Sequence, residues 1–241
     1  MTERDALLRR GLESHKMGDL EAAQSDYREI LAAMPGHPKV TYLLGALKTQ
    51  QGVHEEARIL LEEARERLPT DPAVRLHLGN ALQGQGRFEE AVAVYDEALL
   101  LKPDYDEALN NKANALVEAD KGDQALEAFN ALVAMTPDNP RSWYNRGCLL
   151  NRATLYAAAL PDFDKAIAIA PNFAQAWNNR GTALRGVGRI KDGLESYERA
   201  LALDPNNPDY LQNRATAMGE LNRTHAVPTG LDPIPARRKT D

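Results

Sequence analysis

PAVRLHLGNALQGQGRFEEAVAVYDEALLLKPDY, residues 72–105, holds one complete structural unit whose pattern returns along the chain. Asp71 just before it supplies an N-cap, and Pro72 takes the first helical position, where an N–H is not needed. Leu76, Leu78 and Leu82 recur at helical spacing as far as Gly84-Gln85-Gly86, whose glycines end the helix. Ala91, Val94, Tyr95, Ala98 and Leu99 form a second amphipathic stripe. It stops at Lys102-Pro103-Asp104, because proline cannot continue a helix. The stretch predicts two helices of roughly 14 residues joined by a short turn. Neither helix buries its apolar face alone, so the unit depends on its neighbours.

Outward from this unit the same columns recur every 34 residues. Prolines stand at Pro35, Pro69, Pro103, Pro137, Pro171 and Pro205, and large side chains at Tyr27, Leu61, Tyr95, Phe129, Phe163 and Tyr197. Small residues hold Ala23, Ala57, Ala91, Ala125, Ala159 and Gly193, and also Gly11, Gly45, Gly79, Ala113, Gly147 and Gly181. A copied helical hairpin explains four columns kept in step; a single-core globular fold does not. Gly79 and Ala91 let the paired helices approach closely, and Tyr95 fills the space beside them. In the fifth unit Pro161 falls inside the second helix and Thr154 replaces the turn glycine, which predicts a late start or a kink.

The pattern resembles that of the tetratricopeptide repeat family: a large residue, Leu-Gly, a large residue, Ala, an aromatic, Ala and Pro. Trp143, Gly147, Leu150, Ala159, Phe163, Ala166 and Pro171 follow it, with Arg146 at the Leu place. Trp177, Gly181, Leu184, Tyr197, Ala200 and Pro205 follow it too, with Arg180 at the Leu place and Gly193 at the first Ala. The first repeat departs furthest, with Ser14 and Ile30 at pattern positions, as a terminal repeat does. The resemblance implies an all-α fold, a right-handed superhelical solenoid of helix-turn-helix repeats. The expected repeats are 4–37, 38–71, 72–105, 106–139, 140–173 and 174–207, with a capping helix at 208–221. Residues 222–241, with Pro228, Pro233 and Pro235, read as a disordered tail or linker.

In this family the first helix of each repeat lines a concave groove. One column of that face runs His77, Asn111, Asn145, Asn179 and Asn213, flanked by Asn80, Asn110, Asn114, Asn151 and Asn178. Asparagine is a poor helix former, so propensity does not account for the row. Its amide both donates and accepts, which suits the backbone of an extended peptide. The row resembles the asparagine-lined repeat domain of the O-linked N-acetylglucosamine transferase. Bridging of adjacent helices by the same amides is the competing reading. Arg141, Arg152 and Arg185 are expected to face the groove with no acid beside them, available to acidic groups of a partner. The apolar stretch of Leu8, Leu12, Tyr42, Leu43, Ala46 and Leu76 at the other end either anchors a hydrophobic motif or packs on itself. A carboxylate clamp of the chaperone-binding kind is matched by Asn80, Asn111 and Arg141. It fails at Leu76 and Asn145, which stand where its cationic anchors belong.

Composition narrows the partner. The net charge of −6 argues against nucleic acid and against an anionic membrane surface. The one cysteine, Cys148, excludes an internal disulfide, and it reads as a small residue allowing close approach. No thiol–imidazole pair, metal-ligand spacing or glycine-rich phosphate loop stands out, so no cofactor and no catalytic residue is expected. The whole predicts a cytoplasmic, non-enzymatic protein-interaction module that binds an extended peptide. Recruitment of substrate for a bacterial glycosyltransferase, whose catalytic part lies elsewhere, is the alternative that the resemblance implies. The capping helix, with Tyr210, Leu211, Met218 and Leu221 expected on its exposed faces, is a candidate surface for homodimer formation.

Overall fold

The computed structural model describes residues 3–225. Thirteen α-helices, and no strand, occur among the described residues. They fall into two compact units that divide between Pro137 and Asp138. The first contains α1 (Glu3–Met17), α2 (Leu20–Ala33), α3 (Pro38–Gln50), α4 (His54–Arg67), α5 (Pro72–Gly84), α6 (Phe88–Leu101), α7 (Asp106–Glu118) and α8 (Gly122–Met135). The second contains α9 (Pro140–Arg152), α10 (Tyr156–Ile169), α11 (Ala174–Gly186), α12 (Ile190–Leu203) and α13 (Pro208–His225). Within each unit every odd-numbered helix except α13 pairs with the next to make a hairpin, and successive hairpins stack. None of the described helices is long and apolar enough to cross a membrane.

Local chemistry sets the helix ends. Pro38, Pro72 and Pro140 open α3, α5 and α9, and the Asp71 and Asn139 side chains cap the last two by accepting from the backbone N–H of Ala73 and Arg141. The hairpin turns repeat one backbone feature, a positive φ at Gly18, Gly52, Gly86, Asp120, Thr154 and Gly188. Four of these places hold glycine, which takes that conformation without steric cost. Thr154, at φ 58°, holds it with a β-branched side chain. The helix after it nevertheless begins at Tyr156, in register with α6, α8 and α12, and runs through Pro161 to Ile169. The expected late start does not occur. Pro161 and Ala157, whose carbonyl loses its usual N–H partner, both lie on the exposed side, so water can satisfy that carbonyl.

The core is built from the repeating columns. Ala23, Ala57, Ala91, Ala125 and Ala159 are buried, as are Tyr27, Leu61, Tyr95, Phe129, Phe163 and Tyr197. Their fit is tight: a methyl group on Gly147 would come 2.8 Å from Phe163 Cε1, and one on Gly181 2.6 Å from Tyr197 Cε1. The arginines at the Leu place have buried partners. In the first hairpin Arg10 Nε donates to Asp26 at 2.9 Å, and its Nη2 contacts the other carboxylate oxygen. In the fifth, Arg146 grips Asp162 through Nε at 2.8 Å and Nη2 at 2.6 Å. Both acids stand sixteen residues after their arginine, on the second helix of the same hairpin.

The last helix departs from expectation in two respects. α13 continues to His225, four residues past the expected cap, since no proline or glycine follows Gly219 until Pro228. Tyr210, expected on an exposed face, is buried against Ala200, Leu201, Ala174 and Trp177. α13 packs on the preceding hairpin as every first helix does, and Tyr210 points into that seam. The remainder of the expected tail lies outside the described residues.

Candidate functional site

In the first unit, helices α1, α3 and α5 enclose a hollow of about 380 Å³ lined by His15, Tyr42, Leu43, Ala46, Thr49, Gln50, His77 and Asn80. Its wall is apolar at Tyr42, Leu43 and Ala46, and polar at the two histidines and two amides. Leu76, from the same expected apolar stretch, is a core residue instead, and Leu12 is exposed without lining the hollow. The Tyr42 and His77 rings lie 5.6 Å apart, and Lys39 Nζ sits 5.0 Å from the Tyr42 ring centre. Burial pushes the Tyr42 hydroxyl up to about 12. It pulls the His77 imidazole below its ordinary value, and His15 adds to that shift. His15 is oriented through Nε2 against Gln50 Oε1 at 3.1 Å and Nδ1 against the Tyr27 hydroxyl at 3.4 Å.

Asn80 joins this hollow to a wider one of about 450 Å³, which it lines with Gln83, Gly84, Phe88, Asn111 and Glu118. Its Oδ1 accepts from the Tyr95 hydroxyl at 2.7 Å and from Asn111 Nδ2 at 2.9 Å. Asn110 Nδ2 donates in turn to Asn111 Oδ1 at 3.2 Å. Two donors on its carbonyl fix the orientation of the Asn80 amide, and its two N–H groups have no hydrogen-bond acceptor among the described residues. Asn114, half-buried on α7, makes no hydrogen bond to a described residue.

The second unit carries a longer amide chain. Asn213 Nδ2 on α13 donates to Asn178 Oδ1 at 3.0 Å, and Asn178 Nδ2 donates to Asn179 Oδ1 at 3.3 Å. Asn179 Nδ2 then reaches the Tyr144 hydroxyl at 3.1 Å and Cys148 Sγ at 3.2 Å on α9. Asn151 donates to the Asn179 carbonyl at 3.1 Å. Burial pushes the Cys148 thiol up, away from the thiolate form. Asn145 is half-buried and, like the exposed Arg152, engaged in an interaction.

The expected patch of unpaired arginines needs correction at Arg152, which is engaged in an interaction, and at Arg185. Arg185 Nη1 pairs with Glu220 Oε1 at 3.1 Å, an acid on α13 that arrives on that face one repeat later. Arg141 is exposed, and its guanidinium makes no ion pair with a described residue. Sequence reading missed Tyr95, Tyr144 and Cys148 as partners of the amides. The signal was present: the hydroxyl of each tyrosine in the aromatic column, Tyr27, Tyr95 and Tyr197, reaches His15, Asn80 and Thr182 on its own hairpin's first helix. Phe129 and Phe163, in the same column, have no hydroxyl to offer.

Family models for the tetratricopeptide repeat match residues 14–81, 76–140, 110–172 and 174–207. No curated protein matches the chain. Among solved structures it is similar to PilF of Pseudomonas aeruginosa, with TM-score 0.73 and 20% identity over 88% of this chain and 97% of that one. It is similar to residues 41 to the end of MamA from Desulfovibrio magneticus RS-1, with TM-score 0.64 and 23% identity over 71% and 97%. YrrB, a tetratricopeptide protein with an unusual peptide-binding site, gives TM-score 0.62 and 16% identity over 78% and 97%. Likeness at these identities speaks for the fold. With hairpins that keep a 34-residue register and family matches along nearly all of them, this chain belongs to the tetratricopeptide repeat family.

Proposed function

We propose that this chain is a protein-interaction module whose first unit holds an extended segment of a partner protein across α1, α3, α5 and α7. The hollow at Tyr42, Leu43 and Ala46 carries this reading, because it pairs an apolar seat with the His77 imidazole and the N–H groups of Asn80, which make no hydrogen bond to a described residue. An apolar side chain of the partner sits there. The N–H groups of Asn80 take a backbone carbonyl beside it, and His77 and Asn114 contribute further polar contacts along the same face. Asn111 acts behind them, holding Asn80 in place. The peptide-binding site named for YrrB, on the same fold, supports the role.

In the second unit the amides of Asn178, Asn179 and Asn213 serve each other first, and their part in binding is to keep that face rigid. Arg141 is the cation left there for an acidic group, and Arg152 stands on the same helix. Selection of a random-peptide display library on the chain tests the reading, followed by fluorescence anisotropy of the selected peptides. Ala46→Trp, which fills the hollow, is expected to weaken them by about tenfold or more, worth about 1.4 kcal/mol. Equal affinity for a folded Ala46→Trp variant would move the binding surface elsewhere.

A further inference from the structure

α13 has the place of a first helix, and no second helix follows it among the described residues. It buries Tyr210 and Ala217 on the preceding hairpin and leaves Leu211, Ala215 and Met218 exposed. Met218 is 49% exposed, while Leu184 and Leu150, one and two repeats earlier in the same column, are 0% and 9% exposed. Ala215 follows Gly147 and Gly181, which Phe163 of α10 and Tyr197 of α12 cover. In each earlier hairpin the cover is the second helix. Residues 226–241 do not have its sequence: Gly230 falls in the column of Asp162, and Pro228, Pro233 and Pro235 interrupt the span.

Arg214 says what the cover must carry. It stands in the column of Arg10 and Arg146, whose Nε groups donate to Asp26 and Asp162. Arg214 Nε is buried without a hydrogen-bond partner. Glu198, in the column of the Asp164 that serves Arg180, makes no bond to it. A buried donor of a charged group left unsatisfied is costly, and a carboxylate is its strongest acceptor.

We propose that this face of α13 is a docking site for an amphipathic α-helix of another protein. The buried stripe of that helix carries a small residue, an aspartate and an aromatic residue in the spacing of Ala159, Asp162 and Phe163. The aromatic ring lies on Ala215, the acid pairs with the Arg214 guanidinium as that half-buried side chain turns toward it, and apolar neighbours cover Met218. The surface is separate from the hollow of the first unit, and neither reading depends on the other.

The probe is a fluorescent peptide of residues 19–34, stapled on its outer side to hold the helix, which carries Ala23, Asp26 and Tyr27 in the required spacing. Titration with the whole chain is expected to give saturable anisotropy. Asp26→Ala in the peptide, which leaves the protein untouched, weakens binding about tenfold. Arg214→Leu does the same, and the two together add nothing further. Met218→Glu abolishes the signal. Absence of saturable binding, or binding indifferent to Asp26 and Arg214, would overturn the assignment. So would a dimer of the chain alone, seen by sedimentation equilibrium and lost in Met218→Glu, because the cover would then be a second copy.

Discussion

Replacing Arg146 by leucine, the residue at that place in α3 and α5, removes both donors from a carboxylate that is 2% exposed. Each charge-assisted hydrogen bond contributes about 1.5–3 kcal/mol, and breaking a buried pair costs about 3–5 kcal/mol. Arg146 itself is 21% exposed on its side chain, so water reaches part of the site, and the lower figure of about 3 kcal/mol applies. Asp162→Val alone costs less, about 1–2 kcal/mol, because the arginine left behind keeps the Trp143 ring 5.1 Å away and can turn toward water. The double variant Arg146→Leu, Asp162→Val copies Leu78 and Val94 of the third hairpin, where both are buried. Its stability is expected within about 1 kcal/mol of the unaltered chain, or above it, because well-packed apolar pairs replace buried ion pairs at no loss. Urea unfolding followed by helical circular dichroism gives the cycle, and amide exchange on α9 and α10 localises it, since repeat arrays open in parts. A cost below about 1 kcal/mol for Arg146→Leu, or a double variant no better than that single one, would refute the argument.

Thr154→Gly relieves a β-branched residue at φ 58° and is expected to stabilise the second unit by about 1 kcal/mol in urea unfolding. Two glycines of that unit should respond to alanine with opposite signs. Gly181→Ala places a methyl 2.6 Å from Tyr197 Cε1 and 3.0 Å from the Gly193 carbonyl, and loses about 2 kcal/mol after the gain in helix propensity. Gly219→Ala meets nothing nearer than Arg223 Nη1 at 3.6 Å and gains about 0.5–1 kcal/mol, read from the same melts. His77, whose folded-state value is lowered by burial, contributes stability that is complete above its unfolded value of about 6.5 and is lost as pH falls toward the folded value. The urea midpoint of the chain should therefore drop more steeply on acidification than that of His77→Asn.

The hairpins were legible because the columns that build them tolerate few residues. The Phe163 ring leaves no room for a methyl group opposite, so Gly147 belongs with it. What escaped a column-by-column reading was the correlation between columns. Arg146 looked like a departure from the Leu place, yet it brings its own aspartate sixteen residues on, as Arg10 does in the same column. Arg185 looked unpaired because its acid, Glu220, belongs to a helix read as a cap and not as one more rung. Hydrogen bonding among the asparagines depends on the side chains of neighbouring hairpins, and periodicity shows only that such residues share a face.

The bonded amides do not weaken the binding proposal; they change which atoms it uses. An asparagine free on both sides could turn either end toward a peptide and would lose that freedom on binding. Asn80 has no such freedom to lose, since Tyr95 and Asn111 hold its oxygen and leave its two N–H groups as the unspent side. The proposed contact is therefore donation to a peptide carbonyl, with Tyr95 and Asn111 as positioning residues. Tyr95→Phe removes one of the two holds on Asn80, together with the hydroxyl that faces Gln83 Oε1 at 3.0 Å. It should weaken a selected peptide by a few-fold, about 0.5–1 kcal/mol, and Asn80→Ala should weaken it more. Once Asn80 is alanine, Tyr95→Phe should cost nothing further. Independent losses from the two substitutions would mean that the amide is not oriented by that hydroxyl, and that the peptide meets Tyr95 by another route.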